Sequence, residues 1–144
     1  MNKKVIITGS SGYLGKKLVS FLRSKNFKIF KIETKKISQL KTLNEKYNSF
    51  IHLGFDLKKN SNIEKQVEIT KDVLSFSKKN CKNLIFSSTA AVGPKKRRVI
   101  LKKNNYQKAK FFCEKILKKE KGHLNIFILR IFNIIGPGQR KGFL

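Results

Sequence analysis

Short apolar runs alternate along the chain with longer stretches in which apolar residues recur at helical spacing. Val5-Ile6-Ile7 reads as a buried strand, and residues 13–25 as a helix with Leu14, Leu18, Phe21 and Leu22 on one face. Residues 29–32 predict a second strand, residues 38–47 a helix with Ser38 as its N-cap, and residues 50–53 a third strand. The next helical pattern covers residues 63–79, striped by Ile63, Val67, Thr70 and Leu74. Leu84-Ile85-Phe86 is a fourth strand. Residues 106–121 predict a helix with Ala109, Phe112, Cys113, Ile116 and Leu117 inward, closed by Gly122 just past its end. Residues 126–129 are a fifth strand.

This alternation predicts an α/β fold: a doubly wound parallel sheet of about five or six strands with helices on both faces. The strands are apolar throughout rather than alternating, as strands covered on both sides are. The 144 residues suffice for one domain over residues 1–144 with one core.

Composition adds little chemistry. The formal net charge is +26, which favours polyanionic partners in general. Most of the surplus is lysine scattered over predicted helices and loops, the pattern of solvated faces. Its one concentration is Lys95-Lys96-Arg97-Arg98, followed by Lys102-Lys103, in a predicted loop. No aromatics interleave with that loop, so nucleic acid is not an expected partner. No stretch approaches the ~20 apolar residues of a membrane span, and the apolar start is too short for a secretory signal. A cytoplasmic protein without membrane contacts is expected. Cys81 and Cys113 lie in no CxxC or Cys/His cluster, so no metal site is expected.

The informative segment is Thr8-Gly9-Ser10-Ser11-Gly12-Tyr13-Leu14-Gly15, between the first strand and the first helix. Gly9 permits the tight turn, Gly12 admits a pyrophosphate close to the backbone, and Gly15 allows close helix packing. Ser11, Gly12, Tyr13 and Leu14 then open a helix whose free N–H groups and partial positive charge face the phosphates. Glu33 ends the second strand, about 20 residues further on, where an acid accepts hydrogen bonds from the adenosine ribose. It would repel a 2′-phosphate, which favours NAD over NADP.

Four later segments follow in order. They are Ile51-His52-Leu53-Gly54, Phe86-Ser87-Ser88-Thr89-Ala90-Ala91-Val92-Gly93, Tyr106-Gln107-Lys108-Ala109-Lys110, and Leu129-Arg130-Ile131-Phe132-Asn133-Ile134-Ile135-Gly136-Pro137-Gly138-Gln139. With the glycine loop they resemble the TGxxGxxG, HLAA, SSxxVYG, YxxxK and LRxxNxxGPGQ motifs of the extended short-chain dehydrogenase/reductases, the NAD-dependent epimerase/dehydratases of nucleotide sugars. The resemblance covers nearly the whole chain. It implies a Rossmann domain binding NAD, with Tyr106 as proton acceptor and Lys110 lowering its pKa while holding the nicotinamide ribose. It implies Thr89 as the hydrogen-bond partner of the substrate hydroxyl and Asn133 as a further substrate contact. Leu53, Gly54 and Ser87 would line the cofactor, and the substrate would be a nucleotide sugar. A homodimer through the YxxxK helix is also implied, with Phe111 and Phe112 suited to that interface.

The chain departs from the family pattern in places. The interval between Glu33 and His52 is too short for the usual edge strand and adenine loop. The tyrosine of VYG is missing after Val92, and the stretch from Gly93 to Tyr106 is short and basic. The helix asparagine expected near Lys65 or Gln66 is absent. The sequence ends at Leu144, before the small substrate domain of the family. Two further readings therefore stand beside the enzyme: a non-catalytic module binding NAD or, through its basic surface, nucleic acid; and an inactive truncated copy.

Overall fold

The computed structural model describes residues 3–58, 60–93 and 104–139. The basic loop at residues 95–98 and 102–103 lies outside the described residues.

The sheet has five parallel strands in the order β2-β1-β3-β4-β5. They are β1 (Lys4–Thr8), β2 (Lys28–Ile32), β3 (Tyr47–His52), β4 (Cys81–Thr89) and β5 (Asn125–Ile131). Helix α1 (Tyr13–Ser24) joins β1 to β2, α2 (Ile63–Asn80) joins β3 to β4, and α3 (Asn105–Lys119) precedes β5. This is the Rossmann-like α/β architecture that the alternating pattern predicts. The edge strand for which the interval after Glu33 is too short is absent among the described residues, and β2 forms that edge.

Side chains alternate between two apolar layers, as the period of a strand requires. Ile6, Phe50, Leu84 and Phe86 pack beneath α2 and α3 with Val73, Leu74, Phe76, Cys113 and Leu117. Val5, Ile7 and Ile51 face the other way, against Val19 of α1. The first layer is the larger, and Phe30, Tyr47, Phe50 and Phe76 form an aromatic cluster within it, with Phe30 and Tyr47 edge to face at 5.1 Å.

The helix expected over residues 38–47 is not there. A 3-10 segment runs Thr34–Thr42 with a kink at Lys36, and its N-cap is Glu33 rather than Ser38. Tyr47 instead opens β3, because its ring is buried between Phe30 and Phe76. Leu40 is the segment's one buried residue, too narrow a stripe to hold a longer helix on the sheet. Gly122 does not close α3 either. The helix ends at Lys119 and Glu120 caps it in extended backbone, tied at 2.9 Å to Lys78 of α2. Phe112, expected inward, is 40% exposed. Its place on the buried face goes to two charged residues, Lys110 and Glu114.

Glu114 anchors α3 to the sheet. Its carboxylate accepts from Ser88 Oγ of β4 at 2.6 Å, from Arg130 Nε and Nη2 of β5 at 2.9 and 2.8 Å, and from Lys118 Nζ at 2.7 Å. Burial raises its pKa, but the hydrogen bonds from Arg130, Lys118 and Ser88 outweigh burial and hold it down at about 2. A carboxyl depressed from 4.5 to about 2 stabilises the fold fully above pH 4.5, and that contribution is lost as pH falls toward 2. Glu114→Gln leaves Arg130 without its bidentate partner. We expect a loss of ~2–3 kcal/mol by urea denaturation at pH 7, because one member of a buried pair is removed while its cations stay partly solvated. The difference from wild type should shrink as pH drops through that window.

Candidate functional site

The carboxyl ends of β1, β2, β3 and β4 all open on one edge of the sheet, where parallel α/β folds bind their ligands. Thr8, Ile32, His52 and Thr89 are the last residues of these strands. The glycine loop leaves β1 through Gly9, whose φ is 72°, and the Gly12 N–H donates back to the Gly9 carbonyl at 3.1 Å. Gly12 is the N-cap of α1, and no side chain caps this end. The leading amides of α1 are therefore available to an anion.

The glycines do different jobs. A Cβ on Gly15 would collide with the Gly9 carbonyl and the Ser10 Cα, so Gly15 lets the helix close on its own loop. A Cβ on Gly9 would meet the Gly54 nitrogen at 2.5 Å, because the turns after β1 and β3 cross here. Gly54, expected to line the cofactor, makes that crossing possible: its own Cβ position is filled by the Thr34 hydroxyl and closely bordered by Gly9. A Cβ on Gly12 meets only the Gly9 oxygen, at 3.4 Å, so space above the loop is open. Loop and open space together fit the pyrophosphate of a dinucleotide.

The segment after β5 reaches the first residue of α1: a Cβ on Gly136 would meet the Tyr13 hydroxyl at 2.5 Å. Glu33 stands exposed at the end of β2, paired with Lys35 at 3.1 Å and Lys36 at 3.7 Å. Hydrogen bonding and charge from Lys35, then the charge of Lys36, lower its pKa and keep it ionised.

At the other end of the groove, Thr89 follows the buried Ser87 and Ser88 out of β4. The capping box of Asn104 and Gln107 starts α3. Tyr106 therefore sits in the first turn of that helix, close enough to Thr89 for that side chain to lower the pKa of its hydroxyl. Thr89 accepts from the Ala91 N–H at 3.3 Å. Lys110, one turn further on, is only 2% exposed, and its ammonium donates to the Ser87 carbonyl. The Lys110 Nζ lies 3.8 Å from the Phe55 ring centre, 4.6 Å from that of Phe86 and 6.0 Å from that of Tyr106.

Tyr106 was expected to have a lowered pKa. Burial raises it, and the neighbouring Thr89 side chain offsets only part of that rise. The same buried setting pushes Lys110 down to about 7.

A buried hydrogen-bond path links the two ends. Ser87 Oγ donates to the His52 carbonyl at 3.1 Å, His52 Nδ1 pairs with Thr8 Oγ1 at 2.6 Å, and Thr8 Oγ1 accepts from the Gly54 N–H at 3.2 Å. Burial, then the charge of Lys110, pushes His52 down to about 3, so its ring is neutral. Leu53 donates its N–H to the Thr8 carbonyl at 3.2 Å and packs with the α1 layer. Asn133 lies exposed beyond β5 and joins none of these groups. Sequence reasoning missed Phe55, Thr8, Thr34 and the anchoring role of Glu114. Only Glu114 left a signal, an acid on the inner side of a helix in a chain with 8 acidic and 34 basic residues.

A family profile described as "NAD dependent epimerase/dehydratase family" matches residues 5–144. The chain belongs to that family. No curated protein matches it in sequence. Among solved structures this family member is similar to a short-chain dehydrogenase/reductase superfamily protein from Agrobacterium tumefaciens with bound NAD. The identity is 18% and the TM-score 0.74, over 88% of this chain and 48% of that one. It is also similar to an NAD-dependent NDP-hexosamine 5,6-dehydratase of tunicamycin biosynthesis, at 16% identity and TM-score 0.75, over 96% and 57% of the two chains. A third is dTDP-4-dehydrorhamnose reductase from Bacillus anthracis in complex with NADP, at 22% identity and TM-score 0.73, over 97% and 57%. At these identities the likeness is one of fold. The chain spans about half the length of each. The family is NAD(P)-dependent, and these neighbours hold one or other form of the cofactor. Among the described residues no helix is long and apolar enough to cross a membrane.

The buried lysine gives a titration that can be measured. Lys110 has a folded pKa of about 7, below its ordinary 10.5. Between these values the unfolded chain binds a proton that the folded chain does not, so stability rises with pH across that window and is flat in this term below it. The stability difference between wild type and Lys110→Met should therefore move in favour of wild type from pH 7 to pH 10. Urea denaturation at several pH values checks this.

Proposed function

We propose that this chain is the cofactor-binding and proton-transfer part of an NAD-dependent epimerase/dehydratase-type oxidoreductase, cytoplasmic, acting on a nucleotide sugar. The observation that carries this reading is that Tyr106 and Lys110, one helical turn apart on α3, stand beside the Ser87–Thr89 end of β4, with the Lys110 ammonium donating to the Ser87 carbonyl, at the same sheet edge as the glycine loop. Family membership and the NAD- or NADP-bound neighbours support it.

The chemistry divides between cofactor and side chains. A bound nicotinamide supplies hydride acceptance and return. Gly12, Tyr13 and Leu14 would hold the pyrophosphate with backbone N–H groups, and Glu33 would hold the adenosine ribose. Thr89 orients the substrate hydroxyl toward Tyr106 Oη, which takes the hydroxyl proton as the carbon loses hydride. Lys110 protonated favours the Tyr106 phenolate, and its pKa of about 7 lets small changes of environment set that charge. Asn133, exposed beyond β5, would contact the nucleotide part of the substrate.

Incubating the chain with NAD and a panel of UDP-, dTDP- and GDP-sugars should convert at least one of them to a new sugar nucleotide, detected by chromatography, with no net consumption of NAD because the hydride is returned. Tyr106→Phe should slow this by ~10²-fold or more while NADH binding stays within twofold. No NADH binding at millimolar concentration would dispose of the whole reading.

Glu33 gives a separate test of cofactor choice. NADH should bind about tenfold tighter than NADPH. Glu33→Gln should bring the two toward parity, because it removes the charge facing a 2′-phosphate. Fluorescence titration of both cofactors against both proteins measures this.

A further inference from the structure

The pyrophosphate end of the groove is open, but the nicotinamide end is closed over its lysine. An ammonium has three N–H donors and no acceptor. That of Lys110 spends one on the Ser87 carbonyl and lies against the rings of Phe55 and Phe86. With the residue 2% exposed, its ammonium is closed off from a ribose approaching along the groove.

The rings around it differ in what holds them. Phe86 is fully buried in β4, between β3 and β5. Tyr106 is held by the first turn of α3. Phe55 belongs to no helix or strand and is only partly buried. The backbone on either side of it is pinned. Gly54 before it is locked against Thr8, Thr34 and Gly9, and the Asp56 N–H after it bonds Gln66 Oε1 at 3.3 Å. The Phe55 ring packs edge-on to the rings of Phe86 at 6.4 Å and Tyr106 at 5.8 Å, but of the three it alone is carried by neither helix nor strand, and it is the ring nearest to the ammonium.

We propose that Phe55 is a gate on the nicotinamide end of the groove: its ring covers the Lys110 ammonium, and must swing aside before that ammonium can reach a cofactor ribose. This rests on the cofactor reading above. In the closed state the ring face satisfies the ammonium through a desolvated cation–π contact, the setting in which such contacts are strongest. Opening exchanges that contact for ribose hydroxyls. A cofactor that must first open the gate binds more weakly by the fraction of open molecules. ADP carries the adenosine and pyrophosphate but no nicotinamide ribose, so it ignores the gate.

The test compares NADH and ADP binding by calorimetry for wild type, Phe55→Ala and Phe55→Leu, with folding checked by circular dichroism. Phe55→Ala should tighten NADH by roughly tenfold, the gain from a gate about nine-tenths closed, with ADP unchanged. Phe55→Leu keeps the apolar volume and loses the ring face, so it should gain less, in the same direction. It carries the test if the alanine variant fails to fold. Weaker NADH with unchanged ADP would mean that Phe55 stacks on the cofactor, and would overturn the proposal. An equal loss for both ligands would mean a structural role only, and would overturn it too. An unchanged NADH-to-ADP ratio overturns the gate alone. Failure of wild type to bind either ligand overturns the cofactor reading and the gate with it.

Discussion

The arrangement of the site depends on one buried carboxylate. Glu114 is the point where α3, β4 and β5 are held together, by Ser88, Arg130 and Lys118. Tyr106 and Lys110 are on the same helix, two turns and one turn before it. Ser88 precedes Thr89 directly in β4, so the bond that seats the helix also sets its register against the strand end. In a chain with a net charge of +26, an acid in the core meets abundant cations. The desolvation cost of burying it is offset by charge-assisted bonds, which are roughly twice as strong as neutral ones.

Legibility followed spacing. The glycine loop could be read because each glycine answers a local backbone demand; Tyr106 and Lys110 were singled out by the resemblance of five motifs in order, and their four-residue interval puts them one turn apart on α3. The parallel sheet and its missing edge followed from the order of apolar runs and one short interval. Residues 38–47 were misread because local periodicity does not record that Tyr47 is claimed by Phe30 and Phe76, residues remote from it in sequence. Phe112 was assigned inward for being apolar, yet the face belongs to Lys110 and Glu114, whose partners come from β4 and β5. Phe55 has no pattern at all: it is a loop residue whose meaning is a distance to Lys110.

The two glycine-rich turns show how fold and site share residues. Gly54 was expected to touch a cofactor, and its visible work is to let the β1 and β3 turns cross. The same crossing brings Thr8 onto Gly54 and His52, and through Ser87 onto Lys110. Neutral His52 suits this path. A second cation beside Lys110 would repel it, and burial keeps the imidazole uncharged across the physiological range.

Tyr106 and Lys110 therefore do not stand at their ordinary acidities: burial raises the phenol and lowers the ammonium. A protonated phenol beside a lysine only about half charged near pH 7 makes a poor base. The pair becomes useful when hydrogen-bond acceptors reach Lys110 and favour its charged form, since that charge then favours the phenolate. An arriving ribose offers such acceptors, and an apolar ring over the ammonium withholds them. On the proposed function, coupling proton transfer to the arrival of a cofactor would need no separate switch. It follows from a lysine that solvent cannot reach, whose charge depends on what takes the place of the ring.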